Sequence, residues 1–140
     1  MPMKSIEYIQ KEVALIGEAL CGESKPAYLF SVASSPTHSG APHIEIAGDE
    51  YHFVVTERGS EFERRKTKDV DDILYWLVEG DVGDLARSCE LKNRVEAQDS
   101  RRLWFQKELE LLNAVNRGWA KRKEAEQKQV LNEHPFRDSI

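Results

Sequence analysis

The hydrophobic spacing of this 140-residue chain changes at Asp69, and that switch limits what it can fold into. From about residue 27 to residue 68, apolar residues alternate with polar ones between short turn signals, the pattern of antiparallel strands. From Asp69 onward they recur at intervals of three and four, the pattern of helices. A run of strands followed by a run of helices specifies an α+β fold.

The strand region divides at its turns. Ala27 to Ala33 is rich in β-branched and aromatic residues and reads as a first strand. Ser34 to Pro42, with two prolines and a glycine, reads as a loop. Ile44 and Ile46 then alternate with His43 and Glu45. Gly48-Asp49 signals a tight turn into Glu50–Thr56, and Gly59-Ser60 a second turn into Glu61–Thr67. The last segment is polar, as suits an edge protected from pairing with other chains. The expectation is a small antiparallel meander of about four strands with one face covered by helices. An N-terminal helix precedes it: Ser5 is a cap, Ile6, Ile9, Val13, Ile16 and Leu20 form one stripe, and Cys21-Gly22 is the stop.

Beyond Asp69 the spacing predicts two or three helices. Asp69 is an N-cap with Asp72 three residues on, and Ile73, Leu74, Leu77 and Val78 face the core. Gly80 is read as the end of this helix and Asp81 as the cap of the next, which carries Val82, Leu85, Ala86 and Cys89. Asp99-Ser100 starts a further helix with the stripe Phe105, Leu109, Leu112, Val115 and Trp119. A single helix running through residues 82–119 is the alternative, since neither glycine nor proline interrupts the chain between Asp84 and Gly118. Ala120 to Gln129 is polar and reads as a solvated helical end. Pro135 breaks the helix, and Phe136 is placed to dock the tail.

A chain of this length is expected to form one domain, residues 1–140, with a core that needs no disulfide. The two cysteines, Cys21 and Cys89, read as buried free thiols of a cytoplasmic protein. No apolar run is long enough for a membrane span, and the N-terminus lacks the apolar region of a signal peptide. Residues 1–100 hold 11 Lys/Arg against 19 Asp/Glu, whereas residues 101–140 hold 9 against 6. An acidic body disfavours nucleic acid as the main partner, because phosphate neutralisation needs cations. It suits a basic partner, or solubility alone.

Catalytic chemistry has little to build on. His43 and His52 could approach each other across the sheet, with His38 in the adjoining loop, and a small metal-dependent hydrolase is the enzyme alternative. No paired-cysteine or helical zinc motif accompanies them. Glu57, Glu61, Glu63 and Lys66 flank a hairpin, where alternating charge on an edge strand is the plain explanation. Nucleophile elbows and glycine-rich phosphate loops are absent from the sequence. Tyr75 and Trp76 are neighbours on a helix, so they point about 100° apart and cannot both face one core layer. An exposed aromatic ringed by acids has the make-up of a protein-binding hot spot. Tyr75, Trp76, Glu79, Asp81 and Asp84 are therefore the candidate partner-binding residues, and packing of both rings is the plain alternative. Asp99, Arg101 and Arg102 read as a structural ion-pair cluster that locks helices together.

The order of several short motifs resembles the immunity protein 63 family of bacterial polymorphic toxin systems. They are Tyr51-His52-Phe53-Val54-Val55, Glu57-Arg58-Gly59, Asp71-Asp72-Ile73-Leu74-Tyr75-Trp76 and Glu90-Leu91-Lys92-Asn93-Arg94. Gln98-Asp99-Ser100-Arg101-Arg102 follows, then Phe105, Leu112 and Trp119, and finally His134-Pro135-Phe136 with Asp138. The resemblance covers about residues 45–138. It implies a cytoplasmic α+β protein that binds and blocks a cognate toxin domain, with no catalysis and no cofactor. It carries over no interface residues. A regulatory adaptor unrelated to toxins is the remaining alternative.

Overall fold

The computed structural model describes residues 3–139, which form an α+β structure with one three-stranded antiparallel sheet and four α-helices. The chain divides into two compact units, the first running to Val78 and the second starting at Glu79.

In the first unit, helix α1 spans Ile6–Cys21, and the Ser5 hydroxyl caps it by accepting the Tyr8 N–H at 3.1 Å. Its buried residues, Ile9, Val13 and Gly17, recur every four positions and so share one face. The strands are β1 (Ser39–Ala47), β2 (Glu50–Glu57) and β3 (Ser60–Thr67), in the order β1-β2-β3. The first turn lies at Gly48-Asp49 as expected. The second is centred on Arg58-Gly59, one residue earlier than read from sequence, with φ of 51° and 83°. Positive φ at both central residues matches the right-handed strand twist of a tight hairpin.

The meander has three strands rather than four. Ala27 to Ala33 forms no strand; its backbone meets the sheet at a bridge from Ala33 to His43, with the Ile44 N–H donating to the Ala33 carbonyl at 3.0 Å. Phe30 sits instead in the left-handed region at φ 57° and is buried with Leu29. It fills the space over Gly17, where a Cβ would come within 2.5 Å of the Phe30 Cβ. Burying one such ring contributes roughly 1.5–3 kcal/mol, enough to outweigh the left-handed backbone. β1 also starts earlier than expected, at Ser39, with an irregularity in its pairing between Ser39 and Pro42.

The centre of β2 is covered on both faces, not one. Tyr51 and Phe53 are buried on one side, and His52, Val54 and Thr56 on the other. Helix α2 (Val70–Lys92) begins beside the sheet: Thr67 Oγ1 donates to Asp72 at 2.8 Å, and Asp69 accepts the Asp71 N–H at 2.9 Å. α2 runs straight through Gly80, which was read as a stop. Glycine costs only about 1 kcal/mol in a helix interior, and the buried residues Ile73, Leu77, Val78, Val82 and Ala86 continue across it.

In the second unit, α2 ends at a charge-paired turn. Arg94 grips Glu90 through two bonds of 2.7 and 3.0 Å, and the Asn93 side chain donates to the Cys89 carbonyl at 2.8 Å. Helix α3 spans Ser100–Val115 with Asp99 as its N-cap, so the chain breaks before residue 100 as preferred. The expected continuation to Trp119 does not occur. Asn116, at φ −160° and ψ 109°, ends α3 and caps α4 (Arg117–Glu133), its side chain accepting the Trp119 N–H at 3.1 Å. α3 and α4 then pack antiparallel, since Gln127 reaches Phe105 and Glu108 while Arg101 reaches His134. Cys21 and Cys89 are free and half-buried, where full burial was expected. No helix among the described residues is long and apolar enough to cross a membrane.

Candidate partner-binding site

The residues expected at a binding surface fall into different surroundings. Tyr75 is only 1% exposed, so its ring is core and leaves the list of contact residues. Trp76 is half-buried in the first unit. It meets Phe53 edge-on at 6.2 Å, and the Arg65 guanidinium lies 5.0 Å from its ring and 4.3 Å from that of Phe53. This stack ties α2 to the sheet. Glu79, Asp81 and Asp84 belong to the second unit, where Asp81 is half-buried and Asp84 exposed.

Glu79 opens onto a cleft that sequence reasoning missed. Between α2, α3 and α4 of the second unit lies a cavity of about 370 Å³, walled by Trp104, Phe105 and Val130 and by the charges of Glu79, Arg87, Glu108 and Lys123. Asp84 borders it indirectly, holding Arg87 at 2.6 Å while the Arg87 guanidinium lies 5.5 Å from the Trp104 ring. Lys123 is 9% exposed and Glu108 only 5%, so both charges have left bulk water. Lys123 donates to Glu79 at 2.7 Å. Burial works against its ammonium, but the Glu79 bond and the carboxylates around it more than offset this and hold its pKa above the ordinary lysine value. Gln127 donates to Glu108 Oε1 at 3.1 Å and to the Phe105 carbonyl at 3.0 Å. Desolvation pushes the Glu108 carboxyl up, against the pull of Lys123 and the Gln127 bond.

The polar stretch from Ala120 to Gln129 is thus only partly solvated. Trp119, Lys123 and Gln127, spaced by four, turn one face inward. That spacing was visible in the sequence, but polar residue types concealed it, because a buried lysine needs a carboxylate that only the folded chain supplies.

Asp99, Arg101 and Arg102 form a latch on the C-terminal tail. Asp99 accepts from the Arg101 N–H and guanidinium at 2.9 Å and from the Arg137 N–H at 2.8 Å. Those donors hold its carboxyl well below the usual carboxylate range, with Arg101 the largest cause. Arg101 also donates to the His134 and Pro135 carbonyls, both at 2.8 Å. Arg102 pairs with Asp138 at 3.0 Å, and its guanidinium lies 4.2 Å from the Phe136 ring. The cluster therefore joins the start of α3 to the tail rather than helix to helix. Phe136 docks against Phe105 at 6.3 Å.

The two histidines share the sheet face that carries Val54. His43 meets Glu45 at 2.7 Å, and Arg64 Nη1 donates to Glu45 at 3.0 Å and to His52 Nδ1 at 2.7 Å. Because arginine only donates, His52 Nδ1 is an acceptor and its proton sits on Nε2. A guanidinium therefore bonds both to His52 and to the Glu45 carboxylate that His43 meets. No group of three His, Cys, Asp or Glu among the described residues is arranged to hold a metal ion.

No curated protein and no solved structure shows significant similarity to the chain. The model of the immunity protein 63 family matches residues 48–129, which take in β2, β3, α2, α3 and most of α4. With more than half of its length matched, the chain belongs to the immunity protein 63 family.

Proposed function

We propose that this protein is the immunity partner of a bacterial toxin, and that it binds its cognate toxin domain and occludes it without catalysis of its own. Membership of the immunity protein 63 family over residues 48–129 is the observation that carries this reading. The net charge of −5 on the whole chain suits a basic partner, since an acidic protein speeds encounter with one. The working place of such a protein is the cytoplasm of the toxin-producing bacterium, where the toxin would otherwise act on its maker.

The contact surface we assign is the rim of the second unit's cleft, with Glu79 and Asp84 retained from the sequence reading and Trp104 added. Asp84 is exposed and positions Arg87, so it offers a steering charge beside a part-buried aromatic. Co-purification with the toxin domain encoded beside it, together with survival of cells expressing that toxin, tests the proposal. Binding with rescue is the expected result. Neither binding nor rescue would overturn it. Asp84→Lys is expected to slow association and flatten its salt dependence while leaving the fold intact.

A further inference from the structure

We propose that the cleft of the second unit receives one basic side chain of the toxin, an arginine or lysine whose charged end bonds to Glu108 Oε2. This rests on the immunity reading above and adds to it the chemistry of the anchoring contact.

The charges lining the cleft are Glu79, Arg87, Arg101, Glu108, Lys123 and Glu126. Five of them have a partner: Glu79 and Glu126 pair with Lys123 at 2.7 and 3.4 Å, Arg87 with Asp84 at 2.6 Å, and Arg101 with Asp99 at 2.9 Å. Glu108 alone forms no ion pair among the described residues. It is 5% exposed, and among the described residues its carboxylate accepts one hydrogen bond, from Gln127 to Oε1. An ionised carboxylate can accept about four hydrogen bonds, so Glu108 keeps acceptor capacity to spare, with Lys123 and Arg87 acting on it only through longer-range attraction. Beside Gly83, Glu108 Oε2 and the Arg87 guanidinium lie near one another, each 3.4 Å from where a Cβ would stand, so a larger residue there would crowd both. The structure thus holds a carboxylate oxygen that accepts no protein hydrogen bond among the described residues and stands open to a cavity of 370 Å³, a size within the roughly 300–1,000 Å³ range of ligand sites.

A cation is the occupant this arrangement fits. The lining charges balance, three acids against three cations, but every cation is already paired and Glu108 is the one acid without a salt bridge among the described residues. The rings of Trp104 and Phe105, set edge to face at 5.4 Å, and the Val130 side chain supply apolar walls for an aliphatic stem. A guanidinium or ammonium can also rest against an aromatic face while it bonds to the carboxylate. The penalty of burying Glu108 in the free protein would then be relieved in the complex, so differential binding energy is stored at one residue.

The test compares the full chain with its Glu108→Gln variant, using the purified toxin domain. Gln keeps the side-chain shape and can still accept from Gln127, but it removes the charge. Affinity is expected to fall about a hundredfold, mainly through faster dissociation, with the thermal midpoint at pH 7 unchanged or higher. Equal affinity of variant and parent would overturn the assignment of Glu108 and leave the immunity reading standing. Failure of the parent chain to bind would overturn both. A second measurement needs no variant: the ¹³C carboxyl titration of Glu108 in the parent chain, free and in complex. Its midpoint is expected to drop on complex formation, and an unchanged midpoint would refute contact with a cation.

Discussion

Replacing Asp99 by alanine should unfasten the C-terminal tail, and the cost can be worked from the contacts. The Asp99 side chain caps α3 through the Arg101 N–H at 2.9 Å, and losing an N-cap of this kind costs about 1 kcal/mol. It also accepts two guanidinium bonds from Arg101, at 2.9 and 3.2 Å. Bonds to charged groups contribute about 1.5–3 kcal/mol, and the partial exposure of both partners places this pair at the low end, about 1.5 kcal/mol. The Arg137 N–H bond at 2.8 Å adds about 0.5 kcal/mol. The sum is about 3 kcal/mol, a large share of the 5–15 kcal/mol typical of a domain. Urea unfolding followed by amide hydrogen exchange reads the second unit directly. Exchange at Arg137 and Ser139 should rise first, because the Ser139 N–H bond to Ala97 lies in the same latch. An Asp99→Ala, Arg101→Ala double-mutant cycle should return a coupling of about 1–2 kcal/mol. The pH dependence follows the same contacts. The folded pKa of Asp99 lies below its unfolded value, so its stabilisation is present above about pH 4 and lost as pH falls through the folded value. A loss under 1 kcal/mol, or a coupling near zero, would refute the idea that this cluster holds the tail.

Three further outcomes test other parts of the structure. Gly80→Ala should stabilise the protein by about 0.5–1 kcal/mol in thermal unfolding, because Gly80 is mid-helix and nothing lies within 4 Å of the Cβ it would gain. Gly17→Ala should cost about 1–3 kcal/mol, since the new methyl collides with Phe30 and must displace it; the chemical shifts of Phe30 and Leu29 would report the shift. Glu108→Gln should be at least as stable as the parent at pH 7, with the difference vanishing towards pH about 4. The sign follows from burial: the folded carboxyl has a raised pKa, the native state binds more protons than the unfolded chain, and stability therefore falls as pH rises through that window. Clear destabilisation of this variant at pH 7 would contradict the account of the cleft.

The readings that succeeded from sequence rest on contacts between near neighbours. Ser5, Asp69 and Asp99 cap helices through bonds to residues two or three positions on. Gly48 and Gly59 mark hairpins because the turns need positive φ. The readings that failed were decided at a distance. Ala27–Ala33 has the composition of a strand, but the gap over Gly17 draws Phe30 out of extended geometry. Gly80 has the local character of a stop, yet burial on both sides of it carries the helix on.

The candidate site shows the same division. The acids of α2 stood out in the sequence because charges flanking an aromatic pair are legible in any window. The cleft did not, because Lys123 and Glu79 are 44 positions apart, and Gln127 and Glu108 are 19 apart. The α+β class, the caps at Ser5, Asp69 and Asp99, the hairpin glycines Gly48 and Gly59 and the family motifs were legible in the sequence itself, since bonds within a few residues encode the caps and turns. Which polar residues would be buried, and that the Glu108 carboxylate would stand without a salt bridge among the described residues, was decided only by tertiary structure. A charge can leave water only when the fold brings its partners to it, and no local pattern records which partners those will be.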